Sequence, residues 1–295
     1  MELSQWVNLS DGEGYVATTD TQSMLPPGFY GLSVVQGVGL VWAAIRVRTD
    51  HVLRFPDSAS DHVIREIETF WEQEDSFIAH GIPFKRGILM HGPAGSGKTT
   101  SVRVIALEVV KRGGYVLEYS GVSTLISALR QLRCIQPETP VVVLMEDLDS
   151  ILDTSQSGQS AILNMLDGVE SVHKVVFLAT TNYPERLDPR IIDRPSRFDR
   201  RVEIKHPVAA SRKMYLETLA RPEDDIDLDE YVKASRGMSL AHLKELFVAT
   251  VILKNGFEDT VETLKTMHSR SSRPNSINDD DDPDADPIRQ WAGFA

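Results

Sequence analysis

The chain has 295 residues, 41% hydrophobic and 25% charged, with a formal net charge of −12. That is enough apolar material for a sizeable core in one large or two small domains, and the acidic balance argues against nucleic acid as a partner. The one cysteine, Cys134, excludes an internal disulfide framework, suits a reducing compartment and reads as a small buried hydrophobe.

Residues 1–55 predict a small β-containing N-terminal region. Gly31-Leu32-Ser33-Val34-Val35 and the apolar run 39–47 are β-rich and punctuated by glycine and by Pro26-Pro27. Met1-Glu2-Leu3-Ser4 lacks the basic start and apolar core of a signal peptide, and the run 32–45 is too short to span a bilayer. The expectation is a cytoplasmic protein with no membrane partner. Over 61–80, Val63, Ile64, Ile67, Phe70 and Trp71 recur at helical spacing, predicting one amphipathic helix closed by Gly81-Ile82-Pro83.

An apolar run, Gly87-Ile88-Leu89-Met90, then enters His91-Gly92-Pro93-Ala94-Gly95-Ser96-Gly97-Lys98-Thr99-Thr100, which fits G-x-x-x-x-G-K-[ST] without a gap. A helical pattern, 99–112, leaves it. In that strand–loop–helix setting, glycines let backbone N–H groups turn onto an anion, and the helix N-terminus adds partial positive charge. Gly92 to Thr100 are the candidate ATP-binding residues. Lys98 can reach the outer phosphates, and the Thr99 hydroxyl can ligate Mg²⁺.

Downstream, apolar runs predict strands at 115–119, 141–145, 175–180 and 201–204, with helical patterns at 124–133 and 159–166 between them. The alternation implies an α/β fold with a parallel five-stranded P-loop sheet and flanking helices in an α/β domain over 56–206. Residues 207–268 are helical only and predict a small lid. Residues 269–295 are rich in Ser, Pro, Asn and Asp, carry six aspartates in 279–286, and predict a disordered acidic tail ending in an apolar stretch with Trp291 and Phe294.

Ligands of parallel sheets bind at the carboxyl ends of the strands. Glu146 and Asp147 follow an apolar strand there: one carboxylate can hold Mg²⁺, and the other can orient or deprotonate a water. The offset assigns Glu146, with Thr99, to the metal and Asp147 to the water. Asp149 reads as a helix cap or surface charge. Asn182 ends the neighbouring strand and can bond a γ-phosphate or the water, although Asn is also common in turns before Tyr-Pro. Arg194-Pro195-Ser196-Arg197-Phe198-Asp199-Arg200 is a basic cluster that could stabilise a phosphoryl transition state or simply face solvent.

Together these pieces, over about residues 60–250, resemble the AAA family of P-loop ATPases. The run 181–189 continuing to 194–199 is similar to the family's second region of homology. The resemblance implies a sensor-1 role for Asn182 and arginine-finger positions for Arg194 and Arg197, acting on a neighbouring subunit. It further implies an oligomeric ring, commonly a hexamer, and a lid that moves with nucleotide state. Residues 81–87 and 163–169, with the Glu-Asp order at 146–147, look most like the branch of the mitochondrial ATPase that translocates the Rieske iron–sulfur protein, without that branch's transmembrane segment. Ser120-Gly121-Val122-Ser123-Thr124 stands where many relatives carry an aromatic pore loop. Gly237-Met238-Ser239 stands at the lid's Gly-x-Ser motif, with no sensor-2 arginine, and no H-E-x-x-H motif follows. The reading is Mg²⁺-dependent ATP hydrolysis by a ring that remodels a protein client. The alternatives are an ATP-operated assembly module with slow hydrolysis and, behind it, a nucleic-acid remodeller.

Overall fold

Strands with no polar face have to be covered on both sides, and Val141–Met145 and Val175–Thr181, buried throughout, form the centre of the molecule. The computed structural model describes residues 5–8, 15–18, 21, 23–47, 53–55, 59–153, 156–167, 173–192, 194, 196–224 and 226–271. The strands are β1 Gln5–Asn8, β2 Tyr15–Thr18, β3 Gly28–Val35, β4 Gly39–Ile45, β5 Lys85–His91, β6 Tyr115–Glu118, β7 Val141–Met145, β8 Val175–Thr181 and β9 Arg200–Glu203. The helices are α1 Ser60–Glu72, α2 Glu74–Ala79, α3 Lys98–Lys111, α4 Val122–Ile135, α5 Leu148–Leu152, α6 Gln156–Asp167, α7 Pro189–Ile192, α8 Ala209–Leu219, α9 Leu228–Ala234, α10 Leu240–Phe247 and α11 Phe257–Ser271.

The α/β reading holds, with a difference in sheet size. Seven strands run in the order β4-β3-β6-β7-β8-β5-β9, all parallel to their neighbours except β4. Five of them are those expected; β3 and β4 come from the N-terminal β-rich stretch and extend the same sheet. Buried and half-buried polar bonds fix that junction. The Leu25 N–H donates to Gln136 Oε1 at 3.0 Å, Gln136 Nε2 donates to the Tyr115 hydroxyl at 2.6 Å, and that hydroxyl donates to the Leu25 carbonyl. The rings of Tyr30, Trp42 and Tyr115 pack over it. β1 and β2 form a separate antiparallel pair.

Side-chain alternation along the strands divides the core. Leu89, Leu117, Val143 and Phe177 face α4, α5 and α6, while Ile88, Val116, Val142 and Val176 face α1 and α3. A third cluster, with Leu216, Leu243 and Leu246, holds the helical segment α8–α11 together. The single helix expected over 61–80 is two, α1 and α2, meeting at Gln73, and the bend lets Phe77 pack with both Phe70 and Phe84. Cys134 is exposed rather than buried, because the inward face of α4 is taken by Leu125, Ala128, Leu129 and Leu132. No helix among the described residues is long and apolar enough to cross a membrane. The expected acidic tail lies outside the described residues from 272 onward.

One close approach ties β5 to the arginine-rich segment. Gly87 N–H donates to Asp199 Oδ2 at 2.9 Å. A Cβ at Gly87 would sit 1.9 Å from the Arg197 carbonyl oxygen, so only glycine lets the two backbones pass. Gly87→Ala is therefore expected to cost about 3 kcal/mol of stability, at the upper end for overpacking. Denaturant unfolding measures it, and a loss under about 1 kcal/mol would contradict the approach.

Candidate functional site

The candidate site lies at the carboxyl ends of β5, β7 and β8, where the strand-end residues converge. β5 delivers the chain at His91, and Gly92 to Gly97 turn it into α3, whose first residue is Lys98. Gly97 caps α3 in a left-handed conformation, φ 105°. Lys98 is 7% exposed, and its ammonium donates to the carbonyls of Gly92 and Pro93, both at 2.8 Å. Burial pushes its pKa down, while the carboxylates of Asp147 and Asp149 pull it up. The first turn of α3 presents the unpaired N–H groups characteristic of a helix start.

β7 delivers Glu146 and Asp147, and the two carboxylates go to different partners. Glu146 Oε2 accepts from the Thr99 hydroxyl at 3.2 Å. Asp147 sits at the N-cap position of α5 in the left-handed region, φ 51°, and its N–H donates to Thr180 Oγ1 at 3.1 Å. Its Oδ1 accepts from Asn182 Nδ2 at 3.4 Å. Partial burial pushes the Glu146 carboxyl up from the usual glutamate range, against the Thr99 hydrogen bond and the Arg103 charge. Asp149 is neither a cap nor a loose surface charge: its Oδ1 accepts from the buried Thr181 hydroxyl at 2.6 Å and pins the end of β8.

The loop, Asp147, Thr180 and Asn182 line one cleft of about 390 Å³. Its remaining wall, Leu240 and Ala241 at the start of α10, was not singled out by sequence reasoning. Leu240 N–H donates to the Gly95 carbonyl at 3.2 Å. Ser239 caps α10 by accepting from His242 N–H at 3.3 Å, and its Oγ lies 2.7 Å from where a Cβ on Gly95 would be. The available signal was a serine N-cap before Leu240, Leu243 and Leu246 at helical spacing.

Arg194 and Arg197 do not line this cleft. Arg197 is 5% exposed; its Nε and Nη2 donate to the two oxygens of Asp167, each at 2.9 Å, and its Nη1 donates to the Arg190 carbonyl. The Arg194 side chain is 60% exposed and makes one bond to Asp167, at 3.2 Å. Asp167 was also missed, since a lone acidic residue at a helix end carries no local signal.

Residues 88–206 match the family described as ATPase family associated with various cellular activities (AAA). The chain is 30% identical over 218 residues, 67% of its length, to the ATP-dependent zinc metalloprotease FtsH 1 of Sphaerobacter thermophilus. It is 32% identical over 241 residues, 73% of its length, to FtsH of Acidothermus cellulolyticus. These matches cover 33% and 36% of the two relatives, so the chain spans about a third of the length of the curated relatives it matches.

The raised Glu146 carboxyl carries a pH signature. The folded state keeps this proton over a range in which the unfolded chain has already released it, so stability falls as pH rises through that range. Glu146→Gln removes the penalty. Its unfolding midpoint relative to wild type is expected to rise as pH climbs above the ordinary glutamate value of 4.5, then level off once Glu146 is ionised. A difference that widens instead as pH falls would contradict the assignment.

Proposed function

We propose that this chain, whose residues 88–206 form an AAA ATPase domain, binds Mg·ATP in the cleft at the ends of β5, β7 and β8 and hydrolyses it. The observation that carries this is the division of labour between the carboxylates: Glu146 is bonded to Thr99 and Asp147 to Asn182. Thr99 and Glu146 offer adjacent hard oxygen donors, the ligand type Mg²⁺ takes, and would hold it. Bound there, the ion would neutralise charge on the phosphate oxygens. The Lys98 ammonium would exchange its two carbonyl acceptors for phosphate oxygens, which are better partners for a buried cation. Asp147 would take the proton of the attacking water, and the Asn182 amide would hold that water or the γ-phosphate.

Assembly into a ring, hexamer-like, and action on a protein client complete the proposal. The support is the likeness to ATP-dependent proteases over the AAA region. The Glu146-Asp147 order supports likeness to the Rieske-translocating branch, and the single cysteine supports a cytoplasmic setting. A second reading, an ATP-operated module with slow hydrolysis, is favoured by one observation: Asp147 is a short side chain whose contact with Asn182 is long, 3.4 Å.

Steady-state phosphate release over a Mg²⁺ titration tests the division. Asp147→Asn is expected to keep ATP affinity while turnover drops about 10²–10³-fold, the scale of a lost general base. Glu146→Gln is expected to raise the Mg²⁺ concentration needed for half-maximal rate. Normal hydrolysis by Asp147→Asn with a dead Glu146→Gln would reverse the two roles. Slow wild-type turnover that Asp147→Asn leaves unchanged would favour the assembly module.

A further inference from the structure

β8 is apolar until its last two residues, Thr180 and Thr181, and both are buried, 3% and 0% exposed. Valine has nearly the same shape, suits a strand as well and carries no group that needs a hydrogen-bond partner. Two buried hydroxyls in its place have to be bonded, and both find partners at the start of α5. The β7–β8 ladder ends at Met145 and Ala179. Just beyond it, the Asp147 N–H donates to Thr180 Oγ1 at 3.1 Å. The Thr181 hydroxyl donates to Asp149 Oδ1 at 2.6 Å and accepts from the Tyr183 N–H at 3.0 Å, so it also fixes the peptide that follows Asn182. On its other edge β8 pairs with β5. Thr180 stands opposite Met90 and Thr181 opposite His91, the last residues before the phosphate loop.

These ties bear on Asp147 because its own helix does not hold it. α5 has five residues, too few to be stable by itself, and Asp147 at its start has φ 51° and ψ 57°. That left-handed conformation is strained for a residue other than glycine and persists only where the surroundings over-determine it. Leu148 and Leu152 bury one side of α5, which leaves the direction of its first peptide to the hydroxyls.

We propose that Thr180 and Thr181 are positioning residues that fix the left-handed turn at Asp147 and so hold its carboxylate in register with the loop that β5 carries. This rests on the reading of Asp147 as the base and adds the device that aims it. One strand end thereby sets both partners of the attacking water, Asp147 through its peptide N–H and Asn182 through the peptide after it.

The test measures steady-state phosphate release by the full chain with Mg·ATP, resolved into kcat and KM. Thr180→Val and Thr181→Val keep the shape and lose the hydroxyl. Each is expected to lower kcat about tenfold with KM close to wild type, since a small misplacement of a reacting group is costly in rate. Thr180→Ser and Thr181→Ser keep the hydroxyl and lose a methyl, and are expected to retain most of the wild-type kcat. A role in packing alone predicts the opposite order, serine slower than valine, and that order would overturn the proposal. Should Thr181→Val fail to fold, Asp149→Ala cuts the same tie without touching the buried strand and is expected to share the loss of kcat. The deciding comparison places the valine changes in an Asp147→Asn background. If they act through the Asp147 carboxylate, they slow that variant no further; losses that multiply would mean another route and overturn the proposal. Asp147→Asn turning over as fast as wild type would defeat the base reading and this inference with it. A slow Asp147→Asn beside valine variants at the wild-type rate would defeat this inference only.

Discussion

A buried ammonium at the wrong end of a helix governs this structure. Lys98 is the first residue of α3, where the helix dipole is positive, and no acidic residue lies in that first turn. The side chain is 7% exposed, and burial pushes its pKa down. Two loop carbonyls accept its hydrogen bonds, and the charges of Asp147 and Asp149 pull its pKa back up. Such an arrangement offends local preference and makes sense when an anion is the intended partner. The loop around it has little freedom: the α10 end rests on Gly95, and the backbone of β9's exit passes Gly92 so closely that a Cβ there would meet the Ile204 carbonyl at 2.1 Å.

A second set of constraints links the loop to the far side of its own strand. β5 carries the phosphate loop at one end, while Lys85 and Gly87 at its other end hold the Leu166–Asp167 corner and the 196–199 segment. The arginine turn and the cleft thus lie at the two ends of one strand. A shift in register or tilt of β5 would move both.

Much of this was readable from the residues because it is local. The glycines and Lys98 act within one turn of chain, and the buried strands 141–145 and 175–181 announce themselves as unbroken apolar runs. Glu146, Asp147 and Asn182 were placed by a rule about parallel strand ends; the sheet brings Asp147 and Asn182 to one cleft, and Glu146 bonds Thr99 at its edge. What escaped is non-local. Whether residues 28–35 form a separate unit or join β6 depends on Tyr115 and Gln136 meeting Leu25, which no periodicity encodes. Arg197 looked the same as Arg194 in a basic run; its burial is decided by Asp167, 30 residues earlier. Asp149 was open between cap and surface because its partner, Thr181, lies 32 residues on, at the end of β8.

The central claim is that Lys98 and the strand-end residues form a nucleotide site. Calorimetric titration of the full chain with ATP, in Mg²⁺ and again after chelation, tests it most directly, with Lys98→Ala beside it. The account predicts saturable binding of one nucleotide per chain, weakened by chelation and abolished in Lys98→Ala. Absence of saturable binding by the folded wild-type chain, or unchanged affinity in Lys98→Ala, would contradict it.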